Sequence, residues 1–179
     1  MSSTENMRQQ IITILKSELQ SVIYPQSFSS TLFPYTNCYS YAIGVTMQDK
    51  TGKLYYPGGI SNMPVMYDKR FLLRFLKSDL RLLGIYAKEI SLDKAKEEMR
   101  EGKQVIAFFY SSFESNFHFL RKDRDGGWSH KRGYEKHPAK VKYDYEEYFE
   151  SCELVAYLSL SFMWSWGFLK FNILQINVF

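Results

Sequence analysis

The chain has 179 residues, 45% of them apolar and 17% aromatic, which is ample material for one compact domain with a sizeable core. Its net charge is only +4, from 23 Lys and Arg scattered among 19 Asp and Glu, and this argues against nucleic acid as a partner. Two cysteines, Cys38 and Cys152, are too few for a disulfide-built scaffold, although a single bridge between them stays open.

Residues 1–10 are polar and mixed in charge, without the basic start, apolar stretch and small-residue cleavage site of a secretion signal. The expectation is a cytoplasmic protein, or one exported without an ordinary signal peptide. Residues 7–23 carry Ile11, Ile12, Leu15, Leu19, Val22 and Ile23 at the spacing of an amphipathic helix. Residues 25–37, rich in Ser, Thr, Pro and Tyr, read as a loop. Asn37 then has the character of an N-cap, and Tyr41, Ala42 and Val45 follow at the spacing of one turn, so Cys38 stands at the start of a short helix over 38–45.

Residues 46–65, with the turn Tyr56-Pro57-Gly58-Gly59, look irregular. Helical periodicity returns over 68–83 through Phe71, Leu72, Phe75, Leu76, Asp79, Leu80 and Leu83, with Gly84 at the C-terminal cap. A third helix spans 91–100, between Ser91 and Gly102. The period then changes. Residues 104–110 form a β-rich apolar run, 116–120 alternate polar with apolar, 123–127 form a turn, and 128–131 make the return strand. Strands are also expected over 141–145 and 153–159, separated by a short helical or turn stretch at 146–149. Helices first and an antiparallel sheet afterwards predict an α+β fold.

From Leu154 to Phe179 the only charged residue is Lys170. A membrane span needs about 20 apolar residues, and the serines, asparagines and glutamine of this stretch shorten its uninterrupted part below that. Core strands or a docked tail are therefore favoured over membrane contact. A single domain is placed at residues 1–160, with 161–179 as an apolar tail of unassigned role.

Cys38 has the placement of a nucleophile. A helix N-terminus offers unpaired N–H groups that lower a thiol's pKa and can face the oxyanion of an acyl-transfer intermediate. A base must reach the thiol, and the chain holds three histidines: His118, His130 and His137. His118 sits between Phe117 and Phe119, which point to the opposite face of the strand from the imidazole. His130 follows twelve residues later across the hairpin turn, where adjacent antiparallel strands can bring the two rings together. A histidine base needs a third group to fix its tautomer, and a second histidine can do so. His137 is the alternative third member.

The rest of the chain offers less. Tyr39 and Trp128 are candidates for lining a substrate cleft, Trp128 because it lies beside His130. Cys152, next to acidic residues at the head of an apolar strand, reads as packed core. A zinc site from Cys38, Cys152 and two histidines is disfavoured because no close Cys-x-x-Cys pair is present. Asp123 and Asp125 are explained by the turn without a metal.

A Cys at the head of a helix after an Asn, followed by a sheet supplying a His and then a polar orienter about a dozen positions on, resembles the NlpC-like branch of the papain-like peptidase superfamily. Cys38, His118 and His130 match its order and spacing, and the likeness covers roughly residues 30–160. More narrowly, Asn37-Cys38-Tyr39-Ser40-Tyr41-Ala42 with Pro57-Gly58, Phe117-His118-Phe119 with Arg121 and Asp123, and Trp128-Ser129-His130-Lys131 resemble a set of bacterial proteins built on that fold. The resemblance implies helices packed on a central antiparallel sheet and a cysteine peptidase or amidase that needs no cofactor. A peptide or protein substrate follows, peptidoglycan stem peptides among the candidates. The chain departs from the cell-wall enzymes of the branch, which carry Asp-Cys-Ser-Gly where it has Asn37-Cys38-Tyr39-Ser40. Its Cys-to-His interval of 80 residues is also long, and residues 66–101 supply a helical insertion that can wall the cleft or cover it. Two alternatives stay open: a catalytically silent papain-like binding domain, and a membrane-associated thiol acyltransferase or lipid hydrolase using the apolar tail.

Overall fold

In the computed structural model, residues 36–45, 54–133, 135–141 and 151–162 are described. The expected helix over 7–23, most of the loop over 25–37, the 142–149 stretch and most of the tail lie outside these residues.

The first helix, α1 (Cys38–Ile43), starts where the N-cap places it. The Asn37 side chain accepts from the Ser40 amide at 2.9 Å, and Ser40 Oγ accepts from the Asn37 amide at 2.9 Å, a reciprocal capping box that satisfies two orphan donors. The helix closes after six residues because Gly44 takes the left-handed conformation, φ 74°. Asn37 Nδ2 also donates to the Tyr55 carbonyl at 2.7 Å, fixing the helix start to the irregular segment that follows.

The second helix, α2 (Lys69–Leu82), is capped by Asp68 and buries Leu72, Phe75, Leu76, Asp79 and Leu80 on one face. Asp79 is the exception in that apolar stripe. It is fully buried and accepts from Tyr39 Oη at 2.6 Å and from the Gly58 and Ser61 amides at 2.7 Å each. One carboxylate thus joins α1, the turn at 57–62 and α2.

The strand β1 (Ile85–Ile90) has no counterpart among the elements expected from the sequence. It is an edge strand paired only with the last one, and its mostly exposed side chains give little apolar alternation to detect. The third helix, α3 (Leu92–Arg100), follows as expected. Then come β2 (Gln104–Ser111), β3 (Asn116–Lys122), β4 (Trp128–His130), β5 (Ala139–Lys140) and β6 (Glu153–Phe162). The sheet is antiparallel throughout in the order β1-β6-β2-β3-β4-β5. The fold is therefore α+β, with an open six-stranded antiparallel sheet. Of the strand expected over 141–145 only Val141, which follows β5, falls among the described residues.

Each face of the sheet has its own core. On one, Ile106, Phe108, Phe119, Ala156, Leu158 and Leu160 pack against α1 and α2; on the other, Val105, Ala107, Phe109, Leu120, Trp128 and Tyr157 pack with Ala95 of α3. The near-continuous apolar run of β2 follows from this, because a strand covered on both faces has no polar side to alternate with. No helix among the described residues is long and apolar enough to cross a membrane.

Candidate active site

Cys38 is the first residue of α1, and its side chain is almost wholly buried. The sulfur lies 3.9 Å from the carbonyl oxygen of Phe117, the residue bonded to His118. Amides of Phe119, Tyr39 and Cys38 itself favour the thiolate, but burial outweighs them and pushes the thiol up to about 11. This corrects the expectation of a lowered thiol pKa. A six-residue helix has a small dipole, and desolvation of the sulfur is the larger effect.

His118 and His130 are brought together. Nε2 of His118 lies 2.7 Å from Nδ1 of His130, with the rings nearly perpendicular at 82°. Burial, then the neighbouring His130 and Arg132, holds His118 down at about 3, and burial with Arg132 holds His130 at about 4. Near neutral pH both imidazoles are uncharged and the thiol is protonated.

The strand period decides how these groups approach. Phe117 and Phe119 belong to the α1 side of the sheet and Leu120 to the other. His118, cross-strand from Phe109, therefore stands on the Leu120 side. The β3–β4 ladder covers only Arg121 and Lys122. The sulfur is seated on the backbone of β3 at Phe117, beyond the end of that ladder and on the α1 side of the sheet.

The elements are held in register by a buried network that the sequence did not reveal. Arg121 Nη2 donates to Tyr41 Oη at 2.9 Å and to Asp123 Oδ1 at 3.3 Å, Ser129 Oγ donates to Asp123 Oδ1 at 2.8 Å, and Ser129 Oγ meets Tyr41 Oη at 2.9 Å. The Arg121 guanidinium also lies 4.3 Å from the centroid of the Tyr41 ring. Four side chains from α1, β3, β4 and the turn between the strands thus clamp the helix to the hairpin. The motif positions were legible, but their mutual contacts were not.

Other expected residues fall elsewhere. Tyr39, a candidate for the cleft wall, is fully buried against Phe119 with its hydroxyl on Asp79, and is a core side chain. Trp128 is also buried, packed on Tyr157 with Lys122 over its ring. Ser129, His130 and Lys131 are all buried, although Ser and Lys are residue types more usual at the surface. His130, and not the exposed His137, is paired with His118. Cys152 is half-buried against the second core, and both cysteines are free thiols. Among the described residues no three His, Cys, Asp or Glu side chains converge as a metal site. Comparison of the chain with protein-family models, with curated proteins and with solved structures yields no match.

Proposed function

We propose that the chain is a papain-like cysteine hydrolase that cleaves an amide bond, with Cys38 as nucleophile, His118 as base and His130 as orienter. The observation that carries this reading is the 2.7 Å contact of His118 Nε2 with His130 Nδ1, beside a thiol seated on the backbone that flanks His118. With Nε2 directed at His130, Nδ1 is the nitrogen that serves the thiol. The proton of His118 then resides on Nε2 and is donated to His130 Nδ1.

Because both groups rest uncharged, the reaction begins with proton transfer coupled to attack. The Cys38 S–H proton passes to His118 Nδ1 as sulfur bonds to the carbonyl carbon; the imidazolium then returns that proton to the departing amine nitrogen, and the C–N bond breaks. Water then adds to the thioester carbonyl carbon as the same imidazole takes its proton; the C–S bond breaks, the acyl group leaves as the acid, and the imidazolium returns the proton to the Cys38 sulfur. Peptides or proteins are the substrate class, and peptidoglycan stem peptides enter through resemblance alone. A second reading, a silent papain-like binding domain, draws support from the burial that keeps the thiol at about 11.

Acylation distinguishes the two. The protein is incubated with activated acyl esters and N-acyl amides, and a thioester on the Cys38 peptide is sought by mass spectrometry. The expected result is acylation of Cys38, abolished in Cys38→Ala and at least a hundredfold slower in His118→Ala, within the range of general-base effects. A wild-type protein that never acylates, or a His118→Ala variant that acylates equally fast, refutes the enzyme reading.

A further inference from the structure

The chain leaving β4 returns to the head of α1. Lys131, the residue after β4, is 1% exposed, and its Nζ donates to the carbonyl of Thr36, two residues before Cys38. It also donates to the carbonyl of Arg132 at 3.3 Å. Gly133 runs alongside the same segment, since a Cβ placed on it would lie 3.8 Å from Asn37 Cβ. Among the described residues no carboxylate lies within ion-pair distance of Lys131; Glu135 acts on it only at longer range, and Cys38 is the other acidic group that bears on it. A buried ammonium is costly unless an anion compensates it, and here its anchor, the Thr36 carbonyl, lies two residues before the Cys38 thiol.

We infer that Lys131 is a positioning residue of the site: its ammonium, anchored on the Thr36 and Arg132 carbonyls, stabilises the Cys38 thiolate as it forms. The inference rests on the reading of Cys38 as nucleophile. The division of labour follows from the strand period. Lys131 stands on the α1 side, where Thr36 is, while Arg132 bears on both histidines and disfavours their protonation. A thiolate in this site therefore gains little from a resident imidazolium, and the lysine supplies the positive charge while it keeps its proton, which burial makes easier to lose. Lys131 transfers no proton, and its Thr36 bond also holds the loop that presents the α1 N-terminus.

The test is the rate of Cys38 alkylation by iodoacetamide across pH, in a Cys152→Ser background. Lys131→Met and Lys131→Gln are compared with Lys131→Arg and with His118→Ala, each checked for a cooperative melt. Loss of the charge is expected to raise the apparent thiol pKa by about one unit and to slow labelling about tenfold at fixed pH. Lys131→Arg is expected to restore most of the rate. Gln retains an amide donor for the Thr36 carbonyl, so an effect in Gln as well as Met is electrostatic and not a loss of anchoring. The inference is overturned if the folded Gln variant labels with the wild-type pH profile, or if Arg labels as slowly as Met. Unaltered labelling in Lys131→Gln alongside acylation that depends on His118 refutes the lysine and leaves the dyad. A shifted profile in Lys131→Gln with acylation indifferent to His118 does the reverse.

Discussion

A histidine pair that is half-buried at His118, buried at His130 and uncharged leaves a signature in stability as well as in reactivity. His118 and His130 bind protons at about 3 and about 4 in the folded chain, against an ordinary value of 6.5. Between those values the unfolded chain holds protons that the folded one does not, so the pair's contribution to stability falls as pH falls through that window. Each proton corresponds to about 1.4 kcal/mol per pH unit. Urea unfolding between pH 7 and pH 4 is expected to show this loss, with a shallower pH slope in a His118→Asn, His130→Asn double variant. Equal slopes in the two proteins would place the proton uptake elsewhere; Asp79 and Asp123, raised by burial, act in the opposite direction. The types and spacing of these residues were legible in the sequence, and so were the candidate roles. Their charge states were not, because desolvation depends on what packs around a group and not on its neighbours in the chain.

At the level of elements, the position of α1 depends on a clasp that no local pattern announces. Asp79 reads as a polar lapse in an apolar stripe until three donors from two other segments are found on it. Gly58 belongs to the same clasp. Its φ of +96° is strained for any other residue, and an added Cβ would meet Met63 Cβ at 2.9 Å and Phe75 at 3.2 Å. Gly58→Ala is expected to cost about 2–3 kcal/mol, from backbone strain and overpacking together. Asp79→Ala, which leaves two amides and a hydroxyl without their acceptor, is expected to cost about 3 kcal/mol or more. Chemical denaturation of the purified variants measures both. A Gly58→Ala protein as stable as wild type would mean that the turn relaxes without loss. Since Tyr39 follows Cys38 directly, loosening the clasp is expected to lower acylation of Cys38 as well.

For the whole molecule, the sheet is the partition on which everything else hangs. Phe108 lies at its centre, fully buried and stacked on Phe119 at 4.9 Å, and Phe119 in turn meets Tyr39 of α1 at 5.4 Å. Phe108→Ala is expected to destabilise by about 3–5 kcal/mol, read from the urea midpoint, and a loss below about 1 kcal/mol would show that this core collapses to fill the gap. The helices over 38–43, 69–82 and 92–100 could be read from the chain to within a few residues, because capping and the 3.6-residue period are local. The hairpin that carries His118 and His130 was legible too, from a two-residue period and a turn, while the choice of His130 over His137 as the partner of His118 was not. Long-range packing, and no local pattern, fixes that β6, last in the described chain, pairs between β1 and β2. It alone put Tyr39 and Trp128 into the cores, brought Lys131 beside the head of α1, and closed Arg121, Asp123, Ser129 and Tyr41 into one network. Those contacts join residues as many as 95 positions apart, and what they bury sets whether a side chain is charged, held or available for chemistry.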